Sequence, residues 1–72
     1  MIERKRFLEL CRENAINENS VIVMCDNVKY HPISLNIWFT DYGEVRNTAI
    51  LHDINADCVV SCNIEKLCEL TN

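Results

Sequence analysis

The strongest constraint on this chain is a stretch of alternating side chains that runs into a short turn. Ile33, Leu35, Ile37 and Phe39 take the odd positions, and Ser34, Asn36, Trp38 and Thr40 take the even ones. A period of two marks a half-buried strand. Asp41-Tyr42-Gly43 follows, and a three-residue loop closing on a left-handed glycine is a common hairpin connection. With Thr40 opposite Glu44, Phe39 meets Val45, Ile37 meets Asn47, Leu35 meets Ala49 and Ile33 meets Leu51. A two-residue loop would set Phe39 against Arg46 and turn the apolar set to the wrong face. The sequence therefore predicts a long hairpin with strands over residues 28–40 and 45–53.

The other elements arrange themselves around it. Residues 2–17 predict a helix, with Phe7, Leu8, Leu10, Cys11, Ala15 and Ile16 on one side and Arg4, Glu9, Arg12 and Glu13 on the other. Glu9 and Glu13 can pair with Lys5, Arg6 or Arg12 one turn away. Asn17-Glu18-Asn19-Ser20 ends the helix. Residues 21–25 are apolar on both parities and predict a strand buried on both faces. Asp26-Asn27 suits a tight turn with positive φ. His31-Pro32 marks a bulge or bend, because proline cannot donate to a ladder. Residues 54–57 turn again. A fourth strand over 58–62 sends Cys58, Val60 and Cys62 to the face of Ala49 and Leu51. Residues 64–67 suit one helical turn and 68–70 a short closing strand.

Seventy-two residues make one domain, too short for a Rossmann or (β/α)8 scaffold. The expected architecture is α+β: an N-terminal helix followed by a strongly curved antiparallel sheet of four or five strands, closed or nearly closed. A core this small gains from burying an edge or a face against a second copy, so a homo-oligomer is expected.

Charge and cysteines narrow the function. Residues 1–19 balance four basic against four acidic side chains, while residues 20–72 carry the whole net charge of −4. Long nucleic acid is a poor partner for such a surface. The Arg4-Lys5-Arg6 cluster reads first as a solvated helix face. The five cysteines, Cys11, Cys25, Cys58, Cys62 and Cys68, lack a Cys-x-x-Cys knuckle, so no metal site is expected. With no apolar stretch after the basic start, they read as reduced thiols of a cytoplasmic protein. No apolar run is long enough to span a membrane.

Catalysis has little support. His52 and Asp53 are sequence neighbours, and neighbours on a strand face opposite ways. No nucleophile–base spacing or phosphate-cradling glycine loop occurs, so no enzyme and no cofactor are expected. The chemistry concentrates instead on the even face. The register places Trp38 opposite Arg46 and Asn36 opposite Thr48, with Ile50, His52, Val59 and Ser61 on the same side. An aromatic plane beside a guanidinium suits a nucleobase bearing a phosphate. Asn36, Trp38, Arg46, Thr48 and His52 are the candidate ligand contacts, with Tyr30, His31 and Tyr42 as further contacts. The competing readings are a Trp38–Arg46 cation–π pair, or a face lying under the helix or between subunits.

The helix, Val21–Cys25, the long bent segment Val28–Thr40 and Val45–Leu70 together resemble the Sm-like barrel of Hfq, and SH3-like barrels without their leading helix. That resemblance implies ring-type assembly through strand edges and RNA as a ligand class. Hfq's paired Lys and His late in the chain have no counterpart in Ser61-Cys62-Asn63-Ile64-Glu65-Lys66. The run Gly43–Asp53 followed by Asn55–Val60 resembles short phage and prophage proteins of Gram-positive bacteria, several of which counter host defence. This second resemblance implies a sponge for a cyclic nucleotide signal. Its alternative is an inhibitor whose acidic surface covers a defence effector such as a CRISPR nuclease.

Overall fold

The computed structural model describes residues 1–70. It contains helix α1 (Arg4–Ile16), strands β1 (Val23–Cys25), β2 (Val28–Phe39), β3 (Val45–Asp53) and β4 (Cys58–Asn63), a 3-10 turn (Ile64–Lys66) and strand β5 (Cys68–Glu69). The protein is α+β, as its sequence predicts. All strand pairs are antiparallel, in the order β4-β3-β2-β1-β5. The sheet is not closed, and β4 and β5 are its edges. Among the described residues no helix is long and apolar enough to cross a membrane.

The turns follow local chemistry. Asp26 and Asn27 both have positive φ, at 50° and 65°, as a two-residue turn matched to strand twist requires. Gly43 takes φ 78°, closing the three-residue loop. Its geometry is fixed from inside: Thr40 Oγ1 accepts from the backbone N–H groups of Tyr42 and Glu44 at 3.3 and 3.1 Å.

From Phe39–Val45 to Leu35–Ala49 the β2–β3 register is the one the apolar pattern predicts. It departs at Ile33. Pro32, not Ile33, stands opposite Leu51, and the ladder shifts between Pro32 and Ser34. Pro32 has no N–H to leave unpaired, so it enters the core fully buried while Ile33 bulges out 45% exposed. The bulge exchanges the parity of β2, and His31 joins the outer face beside His52.

The core is Ile2, Phe7, Leu10, Cys11, Val23, Ala49, Leu51, Ile64 and Leu67. Helix α1 buries only the stripe Phe7, Leu10, Cys11 and Asn14. Leu8 and Ile16, expected on its apolar side, are 47% and 66% exposed, and Ala15 also faces solvent. Strand β1 departs similarly: only Val23 is buried, while Val21, Ile22, Met24 and Cys25 are half-buried.

Asn14 is the buried polar residue of this core, 6% exposed. Its Nδ2 donates to the Pro32 carbonyl at 3.1 Å and to Asn19 Oδ1 at 3.3 Å, and its Oδ1 accepts from Val21 N–H at 3.1 Å. One side chain thus ties the helix to the chain entering β1 and to the β2 bend. Farther along, Arg6 bridges to Glu69 at 2.7 Å and to Glu9 at 3.3 Å, joining α1 to β5.

Asn14→Leu keeps the branched side chain of four heavy atoms but strands the Pro32 carbonyl and the Val21 N–H. We expect it to lower unfolding free energy by about 2–4 kcal/mol, measured by urea titration; a loss below about 1 kcal/mol would mean the clasp is dispensable.

The Arg6 pair has a pH signature. Hydrogen bonding to Arg6 holds the Glu69 carboxyl below its usual value of about 4.5. The pair's stabilisation is therefore complete above the unfolded carboxyl's value and is lost as pH falls through the lowered folded one. Arg6→Gln should flatten that part of the acid-unfolding curve, and superimposable wild-type and variant curves would refute the assignment.

Candidate binding site

Strands β2, β3 and β4 set out the outer face in rows. Trp38 lies opposite Arg46, Asn36 opposite Thr48, Ser34 opposite Ile50 and His31 opposite His52. Strand β4 adds Asn63, Ser61 and Val59 beside Thr48, Ile50 and His52. The helix packs on the other side, against Val23, Ala49 and Leu51, so it does not cover this face. Trp38 is 44% exposed and Val59 66%.

The rows separate into two groups. Six residue steps along β3 separate Arg46 from His52, about 20 Å of strand. Near the core, the His31 and His52 rings stack at 5.9 Å with 6° between their planes. His31 Nδ1 donates to the Val21 carbonyl at 2.8 Å, and His52 Nε2 lies 2.7 Å from Asp57 Oδ1. The partner of His52 is thus Asp57, five residues away. Neighbouring Asp53 spends its carboxylate on the next turn, accepting from Asn55 and Ala56 N–H at 3.0 Å each. Tyr30 pairs across from Asp53 and packs against the core, where burial raises its phenol's pKa.

At the far end, Trp38, Phe39, Thr40, Asp41, Tyr42, Glu44 and Arg46 line a cleft of about 410 Å³ around the hairpin tip. The Trp38 indole N–H donates to Thr48 Oγ1 at 2.9 Å, which orients the ring. Arg46 turns to Glu44, with Nη2 2.7 Å from the carboxylate. The structure therefore brings Trp38, Arg46 and Tyr42 together, with Thr48 behind the indole and Asn36 in the next row. His31 and His52 belong to the other group, and Tyr30 to the core side.

Sequence reasoning missed Phe39 and Thr40. Phe39 has core parity, but the core does not reach that far and leaves it 68% exposed. The same holds for Ile37 and Val45, at 45% and 44%. The signal was available: α1 has 13 residues and cannot roof a 12-residue β2 that crosses beneath it and runs on. The molecule is accordingly elongated, 38 Å by 22 Å by 20 Å.

The cleft is acidic on balance. Asp41 and Glu44 outnumber Arg46, whose charge Glu44 already meets. Among the described residues no three metal-ligating side chains converge. Comparison with known protein families, curated proteins and solved structures gives no match.

Trp38 is the sole tryptophan, so its fluorescence reads the cleft directly. Thr48→Val removes the acceptor and keeps the shape. Because the bond is exposed, stability should change by less than about 1 kcal/mol. The freed indole should be quenched faster by acrylamide; unchanged quenching would show that Thr48 does not hold the ring.

Proposed function

We propose that this chain is a non-enzymatic binding protein of the phage anti-defence kind. It acts stoichiometrically, through the end of the β2–β3 hairpin, on a basic surface of a host defence effector. The observation that carries this reading is the composition of the tip. Trp38, Phe39 and Tyr42 surround Asp41 and Glu44, and Ile37 and Val45 continue the apolar surface behind them. Exposed aromatics on a braced loop are the usual anchors of protein interfaces. Carboxylates among aromatic rings suit an arginine or lysine side chain from the partner, by ion pairing and cation–π contact. An acidic protein also approaches a nucleic-acid channel with favourable electrostatics.

A second reading keeps the same cleft and changes the ligand: a small cyclic nucleotide, sequestered between copies. The oriented Trp38 indole with Arg46 across the ladder favours it. Its difficulty is electrostatic. A phosphate must displace Glu44 from Arg46 and sit near Asp41, so the first reading has the better charge balance. RNA, the Sm-like alternative, meets the same objection over a larger surface. In both leading readings the sheet is taken as a small barrel of Sm-like type. Its free edges, β4 and β5, are available to pair between copies in the cytoplasm.

The deciding experiment compares ligands on one protein. Purified CRISPR nucleases and a panel of cyclic nucleotides and cyclic ADP-ribose isomers are titrated separately, with Trp38 emission and native mass spectrometry as readouts. A stable complex with a nuclease is expected. Tyr42→Ala should weaken it by about 30-fold or more, as loss of an anchor does. Asp41→Asn with Glu44→Gln should slow association and reduce its salt dependence. Nucleotide mass on the protein with no nuclease complex would overturn the first reading in favour of the second.

A further inference from the structure

Helix α1 presents a second ordered face to solvent. At about 100° per residue, Arg4, Lys5, Leu8, Arg12, Ala15 and Ile16 fall within one arc of about 120°. The arc lies away from the buried stripe of Phe7, Leu10, Cys11 and Asn14, and all six of its residues are exposed. It holds three cations and no acid. Glu9 and Glu13 fall on the neighbouring flank with Arg6, which pairs with Glu9 and Glu69. Among the described residues Arg4, Lys5 and Arg12 enter no ion pair. Along the arc Arg4, Leu8, Arg12 and Ile16 follow one another at four-residue steps, about 6 Å apart. A helix face kept only for solubility mixes charges of both signs and exposes few large apolar side chains. This one alternates cations with aliphatic side chains, and Leu8 and Ile16 stand 47% and 66% in solvent.

The hairpin tip is the counterpart of this arc in composition. Among the described residues Asp41 enters no ion pair, and Glu44 pairs only with Arg46. Tyr42 is 91% exposed, beside exposed Phe39. Carboxylates and aromatic rings on the tip thus match cations and aliphatic side chains on the helix. The spacing matches as well, since strand side chains on one face repeat at about 6–7 Å. No α1 residue lines the cleft of its own chain, so the complement comes from another molecule.

We propose that this arc docks on the hairpin tip of a second copy of the chain. Its cations meet Asp41 and Glu44, while Leu8 and Ile16 pack on Tyr42 and Phe39. Each copy carries one arc and one tip, so copies exchange contacts reciprocally or pass them on in one direction. One helix arc against one tip makes a small interface, under about 1,200 Å² in total, and contacts of that size are weak and reversible. Self-docking covers the tip at high protein concentration and releases it on dilution or in salt. The docking rests on the cationic-side-chain chemistry proposed for the tip above, and a host effector would compete for the same surface.

Isotopically labelled and unlabelled chains are mixed in equal amounts at low salt and treated with a carbodiimide. The reagent joins an amine to a contacting carboxylate as an amide, with loss of water. Peptide mapping reads which residues are linked and whether the two halves carry different labels. The expected product links Lys5 to Asp41 or Glu44 with mixed labels, and falls about tenfold in roughly 0.5 M salt. Leu8→Asp with Arg12→Glu should lower it about tenfold or more. Both side chains are exposed, and circular dichroism checks that the helix is kept. Tyr42→Ala should also weaken the link. Mixed together, the helix double variant and Tyr42→Ala should regain it in one direction, from Lys5 of the Tyr42→Ala chain to the tip of the other. Lys5 linked only within its own chain, or across chains only to carboxylates outside the tip, would overturn the assignment. Nuclease titration separates this docking from the effector reading, because the helix double variant keeps its tip. A mixed-label tip link without a nuclease complex would defeat the effector reading alone. A nuclease complex without the link would defeat self-docking alone.

Discussion

The structure depends on one irregularity, the bulge at Ile33. A regular ladder through this point would bring Ile33 opposite Leu51 and send Pro32 outward. Pro32 would then face solvent, and its carbonyl would no longer meet Asn14 at 3.1 Å. With the bulge, Pro32 and Leu51 fill the core together. The extra residue also adds local twist and bend to β2. Beyond the bend the far half of β2 continues its ladder with β3 as far as Phe39 and Val45. The burial of Pro32 and its tie to Asn14 therefore share a single cause. His31 stacks on His52 because the same shift reverses the parity of β2.

Much of this was legible in the sequence, and the failures have identifiable reasons. The hairpin register could be read because Gly43 fixes the loop and wrong registers set Phe39 against Arg46. The bulge could be located near His31-Pro32 but not assigned to Ile33. Both Pro32 and Ile33 are apolar, and the choice rests on a missing N–H, which hydropathy does not see. The helix was read as a broad apolar side, Leu8 and Ile16 included. A core of this size accepts only a narrow stripe, and Asn14 takes a place in it because nearby backbone groups need partners. The Trp38–Arg46 juxtaposition followed from the register. The capture of Arg46 by Glu44 went unread, although residues two apart on a strand share a face and Glu44 still bonds across to Thr40.

The sequence pattern also misplaced the boundary of the core. Ile37, Phe39 and Val45 continue the parity of Leu35 and Ala49, and on parity alone they are core residues. Burial requires a second layer as well as the right face. That layer is α1 with the Ile64–Leu67 segment, and it ends near Leu35. Beyond it the hairpin is a two-stranded ribbon, which alone is marginally stable in water. Two local devices oppose fraying: the hydroxyl of Thr40, which accepts two N–H groups inside the loop, and the indole bond from Trp38 to Thr48 across the ladder.

That arrangement bears on what the tip is for. Extending a ribbon past its core costs conformational entropy in every added residue and leaves apolar surface in water. A chain selected only to fold would shorten the hairpin or make its end polar. Here the end is stiffened, and the side chains held there are three aromatics and two carboxylates around a cleft. Stiffening matters little for an isolated ribbon. It matters for a surface that must meet a partner with its anchors already in place, since less ordering entropy is then lost on binding. On the reading proposed above, the braced loop, the uncovered core-parity side chains and the acidic balance serve recognition by contact. The partner we propose for them offers a positively charged side chain.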